Sequence, residues 1–192
     1  MDSQVSDQPD LPPDGFPVWW EFCQRPKNDG QGAHCEVGDA GGWTTWGITY
    51  TIYKANAYQF GLKTDLQSFK ALTQTQASSM ARALYWEDIF ADHMPPAVGM
   101  IWCDFHFTSG GGNKILQGSL GVAADGIVGA KTLAALRQAY AAGPKALLAQ
   151  FTTARKAYYT SLGQPEFLDG WNRRAEDCLV VALELVLDTV ES

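Results

Sequence analysis

Apolar side chains at positions 16, 19, 20 and 23 of DGFPVWWEFCQR recur at helical spacing, which predicts a first helix over 14–25. Asp14 is its expected N-cap and Pro17 lies in its first turn. Pro26 should make Arg25 its last residue, because the residue before a proline avoids the helical region. A loop follows over 27–42, and WTTWGITYTIY, rich in β-branched and aromatic residues, predicts a short hairpin strand around 43–48. Helices are expected from Thr49 and from Thr64 or Asp65, and beyond residue 75 the pattern is helical throughout. TQTQASSMARALYWEDIF starts behind a Thr73 or Thr75 cap, and PPAVGMIWCDFHFT (95–108) is so apolar that it must be buried before SGGG ends it. NKILQGSLG is a short helix stopped by Gly121, a turn at DGIVG leads into a helix with Lys131 and Thr132 in its first turns, another helix starts at Pro144 and stops at Gly163, and the last runs over 175–191. The fold class is mostly α (α+β), a helical domain around one small β-hairpin. Its expected organisation is a disordered tail over 1–13, a part carrying the hairpin over 14–95, and a helical part over 96–192 packed into one unit.

At 192 residues the chain is long enough for a sizeable core in one compact domain. The net charge of −7 argues against a nucleic-acid partner, which normally demands a basic face. Seven tryptophans suit a core together with a sugar-stacking groove. The opening MDSQVSDQPDLPPDG has neither a basic start nor an apolar run, so it is not read as a secretory signal, and synthesis in the cytoplasm is expected. The most apolar run, CLVVALELVL (178–187), is too short for a membrane span and contains Glu184. Cys23, Cys35, Cys103 and Cys178 lack metal-ligand spacing; they are either free thiols or include a Cys23–Cys35 pair across the loop.

Candidate chemistry concentrates in RPKNDGQGAHCEVGDAGGWTTWGIT (25–49). Glycines there allow tight turns and close approach to a ligand, Asp39 would project from the turn, and Thr44 and Thr45 follow on the strand. A carboxylate and a hydroxyl facing one cleft can hold a water or stabilise positive charge developing on a sugar ring. The same composition also fits a hairpin in which Asp39 merely caps a turn. Trp43 and Trp46 flank the threonines as candidate sugar-stacking residues or core, and His34 is a candidate substrate contact or a plain loop histidine. Asp104 and His106, polar on an apolar helix, need partners, and a structural hydrogen-bonding role is expected for them.

DAGGWTTWGIT (39–49) resembles the second half of the signature of the family 108 glycoside hydrolases, the phage and bacterial lysozymes: Glu-Gly-Gly, a short loop, then Asp-Pro-Gly-Gly-x-Thr-x-x-Gly-Ile-Thr, with Ala40 here in place of the proline. WCDFHFTSGGGNKILQGSLGVAADGIVGAKTLAAL (102–136) and FLDGWNRR (167–174) resemble that family's companion peptidoglycan-binding segment. The resemblance covers about residues 14–175 in the family's order. It implies a lysozyme-like fold and an N-acetylmuramidase that cleaves the β-1,4 bonds of peptidoglycan glycan strands. Its acid would be a glutamate at the end of the first helix, near an Asp and a Thr on the hairpin; Asp39 and Thr44 or Thr45 carry over to those places. It implies no metal or organic cofactor, and a monomer acting on bacterial peptidoglycan. The route would be that of an endolysin released by a holin, or of a toxin delivered by a secretion system.

The glutamate does not carry over. Counting from Phe16, its place falls at Lys27, and a lysine ammonium is too weak an acid to protonate a glycosidic oxygen. Three readings stand: Lys27 disables the chain, Glu21 is the acid, or Glu36 swings in from the loop. Glu21 neighbours Trp20 and Phe22, and apolar surroundings favour the protonated carboxyl that a general acid needs, although the 16, 19, 20, 23 pattern equally places it on the wet face. A non-catalytic wall-binding protein and a lytic transglycosylase, for which one acid can suffice, are the rival functions.

Overall fold

The computed structural model describes residues 14–35 and 42–191, with side chains described as far as residue 187. Helix α1 (Phe16–Cys23) turns Phe16, Trp19, Phe22 and Cys23 inward, and each fully buried large side chain contributes roughly 1.5–3 kcal/mol. The helix is shorter at both ends than its pattern suggests. Its N-cap is Gly15, while the Asp14 carboxylate accepts the Phe16 amide from one position further out. It ends at Cys23 because the following backbone folds back on its last turn: Arg25 N donates to Phe22 O, and Asp29 N donates to Cys23 O at 2.8 Å.

The sheet has three short antiparallel strands in the order β1 (His34–Cys35), β2 (Trp43–Thr45), β3 (Ile48–Thr49). His34 lies opposite Thr44, and Thr45 lies opposite Ile48. Trp46 and Gly47 link β2 to β3 with φ of +52° and +80°, the two left-handed residues that a tight hairpin turn requires. Gly47 is also sterically obligatory: a Cβ there would lie 2.6 Å from the Phe107 ring and 2.9 Å from Asp29 Cβ.

The helices that follow start where their caps predict. Thr49 caps α2 (Tyr50–Asn56) through the Ile52 amide, Asp65 caps α3 (Leu66–Lys70), and Thr73 forms a reciprocal capping box with Gln76 on α4 (Gln74–Ala81). The chain then passes through one wide turn (Arg82–Trp86) into α5 (Pro96–Thr108), which is buried from Pro96 to Phe105. Around α5 lie α6 (Gly112–Ser119), α7 (Ala130–Ala142), α8 (Pro144–Ser161) and α9 (Pro165–Glu191). The last helix begins at Pro165, not near 175: proline fits a first helical turn, and Leu168, Trp171, Ala175, Cys178 and Ala182 continue one apolar stripe through Gly170. FLDGWNRR is therefore helix.

Two apolar clusters result. One joins α1, α5, α6, α8 and α9 around Trp19, Trp102 and Phe151; the other joins the hairpin to α2, α3 and α4 around Ile48, Tyr53 and Phe69. Trp20 and Phe107 pack against both. This is a mostly α, lysozyme-like fold in which a small lobe with the hairpin meets a larger helical lobe. The four cysteines are free thiols: Cys23, Cys103 and Cys178 are buried, and Cys35 is exposed, so no Cys23–Cys35 pair forms.

Candidate active site

The segment after α1 wraps back under the helix and delivers Asp29 to the seam between the lobes. Asn28 Nδ2 donates to Phe22 O at 2.8 Å, and Trp46 N in the hairpin turn donates to Gln31 O at 3.0 Å, so the segment is tied to both sides. Gly30 allows this path, since a Cβ there would fall 1.9 Å from the carbonyl oxygen of Gln24. Asp29 thereby sits against the turn at Gly47, beside Phe107 of α5.

Asp29 Oδ2 accepts from Arg174 Nη1 at 2.6 Å. The same guanidinium reaches Asp104 Oδ1 through Nη2 at 2.7 Å, and its Nε lies 3.1 Å from Asp104 Oδ2. Asp104 is fully buried and takes a second guanidinium, Arg155 Nη2, at 2.7 Å; Arg155 Nε in turn donates to Tyr159 Oη at 2.6 Å. Two carboxylates and two guanidiniums from the loop, α5, α8 and α9 thus form one charge-balanced chain. Burial alone would raise the Asp104 carboxyl, but Arg174 and Arg155 outweigh it and hold it at about 2. For Asp29 the balance goes the other way: burial raises the carboxyl above its ordinary value, and the Arg174 contact only partly offsets this. Burial also pushes the Cys23 thiol, 3.6 Å from Arg174 Nη2, well up.

The residues singled out in the sequence are distributed around this seam. Lys27 is exposed on the rim of the loop, and its ammonium pairs with Asp177 on α9, one turn beyond Arg174. Asp39 and Glu36 lie outside the described residues. Thr45 is fully buried, and its hydroxyl has no hydrogen-bond partner among the described residues; Thr44, next to it on β2, faces the opposite side and is half-buried. Trp43 lies beneath the Lys70 ammonium, 3.6 Å from its ring centroid, and Trp46 Nε1 donates to Leu72 O at 2.8 Å within the small lobe. His34 Nδ1 is 2.9 Å from Gly32 O. Glu21 is exposed on the outer face of α1, where with Trp20, Gln24, Thr75 and Ser78 it lines a groove of about 510 Å³ between α1 and α4. Asp104 has the structural role expected of it, and His106 pairs with Asp88 at 3.1 Å. Among the described residues, no three His, Cys, Asp or Glu side chains group as metal ligands.

Asp29 is the residue that sequence reasoning passed over. Its signal was an acid directly followed by a glycine whose place no Cβ could take, two residues beyond Lys27. Counting along α1 does not reach Asp29, because the helix stops at Cys23 and the chain turns back.

The larger lobe holds a second motif, Asp125-Gly126-Ile127-Val128-Gly129. Gln117 of α6 clamps it: Nε2 donates to Asp125 Oδ1, Ile127 O and Thr132 Oγ1, and Oε1 accepts from Gly126 N at 2.8 Å. Asn113 adds a bridge from Trp102 Nε1 to Gly126 O. Beside the clamp is an open groove of about 500 Å³ lined by Val122, Asp125, Ile127 and Lys131, with Ile127 largely exposed.

Comparison with known proteins places both regions. Residues 30–110 match the family Glycosyl hydrolase 108, and residues 112–176 match a Predicted Peptidoglycan domain. The solved structure of Brucella abortus SagA is similar over 89% of this chain and 92% of that one, at 32% identity and a TM-score of 0.73. Among curated proteins nothing matches.

Proposed function

The chain belongs to the glycosyl hydrolase 108 family, and from that premise we propose that it cleaves the β-1,4 bonds of peptidoglycan glycan strands with Asp29 as its acid. A peptidoglycan-hydrolase type of function follows from its two matched segments. The cleavage chemistry and the residue roles are our reading.

One observation carries it: the Asp29 carboxyl, 21% exposed, lies at the seam between the hairpin turn and the helical lobe, with burial raising it above its ordinary value. A partly desolvated carboxyl keeps its proton more readily than an open one, as protonation of a leaving glycosidic oxygen requires. Thr44, half-buried on β2, and Asp39 on the segment before it are the groups we assign to the opposite side of the sugar. Glu21 on the outer face of α1 and Lys27 in its pair with Asp177 are not needed for this chemistry. The placement of Lys27 supports reading it as a surface strap, not as the remnant of a lost acid.

The test is clearance of purified cell walls by the full chain and by Asp29→Asn. Lysis by the parent and at least a hundredfold loss in the folded variant are expected; full activity of Asp29→Asn would refute the assignment. Mass spectrometry of the released muropeptides then separates hydrolysis, which leaves reducing ends, from transglycosylation, which leaves anhydro ends. A second reading rests on the Arg174 contact, which favours the ionised carboxylate: a wall-binding protein that does not cut. It predicts wall co-sedimentation without clearance.

A further inference from the structure

Arg174, which grips Asp29, lies in the segment matched as a peptidoglycan domain, 112–176, while Asp29 lies one residue before the stretch matched as the glycosyl hydrolase, 30–110, and packs against Gly47 within it. We propose that Arg174 is the positioning residue of the Asp29 carboxyl, and that α9 is thereby part of the hydrolytic site and not only of a binding segment. This inference rests on the assignment of Asp29 as the acid.

The geometry of the guanidinium is over-determined. Its Nε and Nη2 edge is taken by Asp104, Asp104 is fixed from its other side by Arg155, and Arg155 is fixed by Tyr159. Both arginines and Asp104 are nearly or fully out of solvent, so the guanidinium cannot swing without leaving buried charge unpaired. Only Nη1 remains for Asp29, and it meets Oδ2. That single contact fixes the rotation of a short side chain and leaves Oδ1 as the oxygen for the substrate. An aspartate has one fewer rotatable bond than a glutamate and cannot search for its target, so an outside group must aim it. Lys27 and Asp177 pair side chain to side chain one turn further along α9, at the exposed edge of the same loop.

Arg174 also sets the charge of the site. The groups facing Asp29 are Arg174 from α9, Asp104 from α5 behind it, and His34 from β1; Arg155 and Cys23 face Asp104 and Arg174 from α8 and α1. Arg174 is the cation in direct contact, and a cation at this range lowers a neighbouring carboxyl by about one to three pH units. If it aims Asp29, weakening that contact should raise the carboxyl's titration and move the upper limb of the lysis profile to higher pH, because the acid stays protonated longer. An arginine that only tied the helices together through Asp104, with no action on Asp29, would shift neither, and the loss of kcat at unchanged KM separates aiming from a change of charge alone.

The experiment is Arg174→Lys in the full chain, with two readouts. One is the ¹³C carboxyl titration of Asp29; the other is the pH profile of wall clearance, with kcat and KM separated on purified peptidoglycan. A lysine supplies a point charge for Asp104 but not two edges at once. The expected result is an Asp29 midpoint higher by about one pH unit, an upper limb displaced to match, and a kcat lowered tenfold or more at unchanged KM. Asp177→Asn, which removes only the Lys27 pair, should leave all three unchanged. Should Arg174→Lys not fold, Arg174→Gln, which keeps the buried Asp104–Arg155 pair, takes its place. A folded variant with an unmoved Asp29 titration or an unmoved limb overturns the proposal while leaving Asp29 as the acid. If Asp29→Asn clears walls normally, the assignment of the acid falls and this inference falls with it.

Discussion

Asp104, in the middle of α5, accepts from Arg174 on one oxygen and from Arg155 on the other, each at 2.7 Å, with its own side chain wholly buried. The central helix α5 and the two consecutive helices α8 and α9 are pinned at one carboxylate. Replacing it leaves the buried Arg155 guanidinium without an anion and Arg174 with Asp29 alone. Asp104→Asn is therefore expected to lose about 3–5 kcal/mol, read as a fall in thermal midpoint of roughly 6–20 °C. The folded carboxyl, at about 2, lies below the ordinary value of 3.8, so it stabilises the fold above about pH 4, and that contribution disappears as pH falls through about 2. The gap between parent and variant should accordingly narrow in unfolding measurements at pH 2.5; a gap independent of pH would show that the carboxylate charge is not what matters.

Lys27 and Asp177 make an ion pair of a different kind, with the lysine about half exposed. Such pairs contribute about 0–1 kcal/mol. Lys27→Glu should therefore leave wall clearance within about twofold of the parent and shift the thermal midpoint by no more than a few degrees. A gain of lysis in Lys27→Glu would instead locate the missing acid at position 27 and remove Asp29 from that role.

Most of the helical lobe was legible because its signals are local. Thr49, Asp65 and Thr73 each cap the helix they announce, and the apolar PPAVGMIWCDFHFT is the buried central helix. The place of Asp29 at the seam was not legible, because it depends on a chain reversal. Cys23 O receives the Asp29 amide across six residues, and no periodicity reports such a contact. Arg174 was visible only as part of a terminal motif; its partner Asp29 stands 145 residues earlier, and nothing in spacing joins them. The start of α9 lies ten residues before the 175–191 pattern, because packing of Trp171 and Leu168 on the core carries the helix through Gly170, a residue of low helix propensity.

The cysteines divide by burial. Cys35 is exposed on β1, whereas Cys23, Cys103 and Cys178 are buried and burial pushes all three thiols upward. A thiol reagent at pH 8 should modify one cysteine quickly in the native chain and the remaining three only after denaturation. Two fast-reacting thiols, or none, would contradict this arrangement, and none would point to Cys35 being engaged in a disulfide.

Gln117 shows how the second motif works without any role for its residues in chemistry. One buried amide holds four groups of the 125–132 segment, so the loop's shape depends on a side chain eight residues before it. Gln117→Leu keeps the bulk but leaves Gly126 N–H and the Ile127 carbonyl without their partner, at a cost of about 1–3 kcal/mol. Because the Asp29–Arg174 contact is built from other elements, the loss should stay local: faster amide exchange at Gly126, a lower thermal midpoint, and an unchanged Asp29 carboxyl titration. If that titration moves with the clamp, the loop and the Asp29–Arg174 seam are coupled more tightly than their separate hydrogen-bond networks indicate.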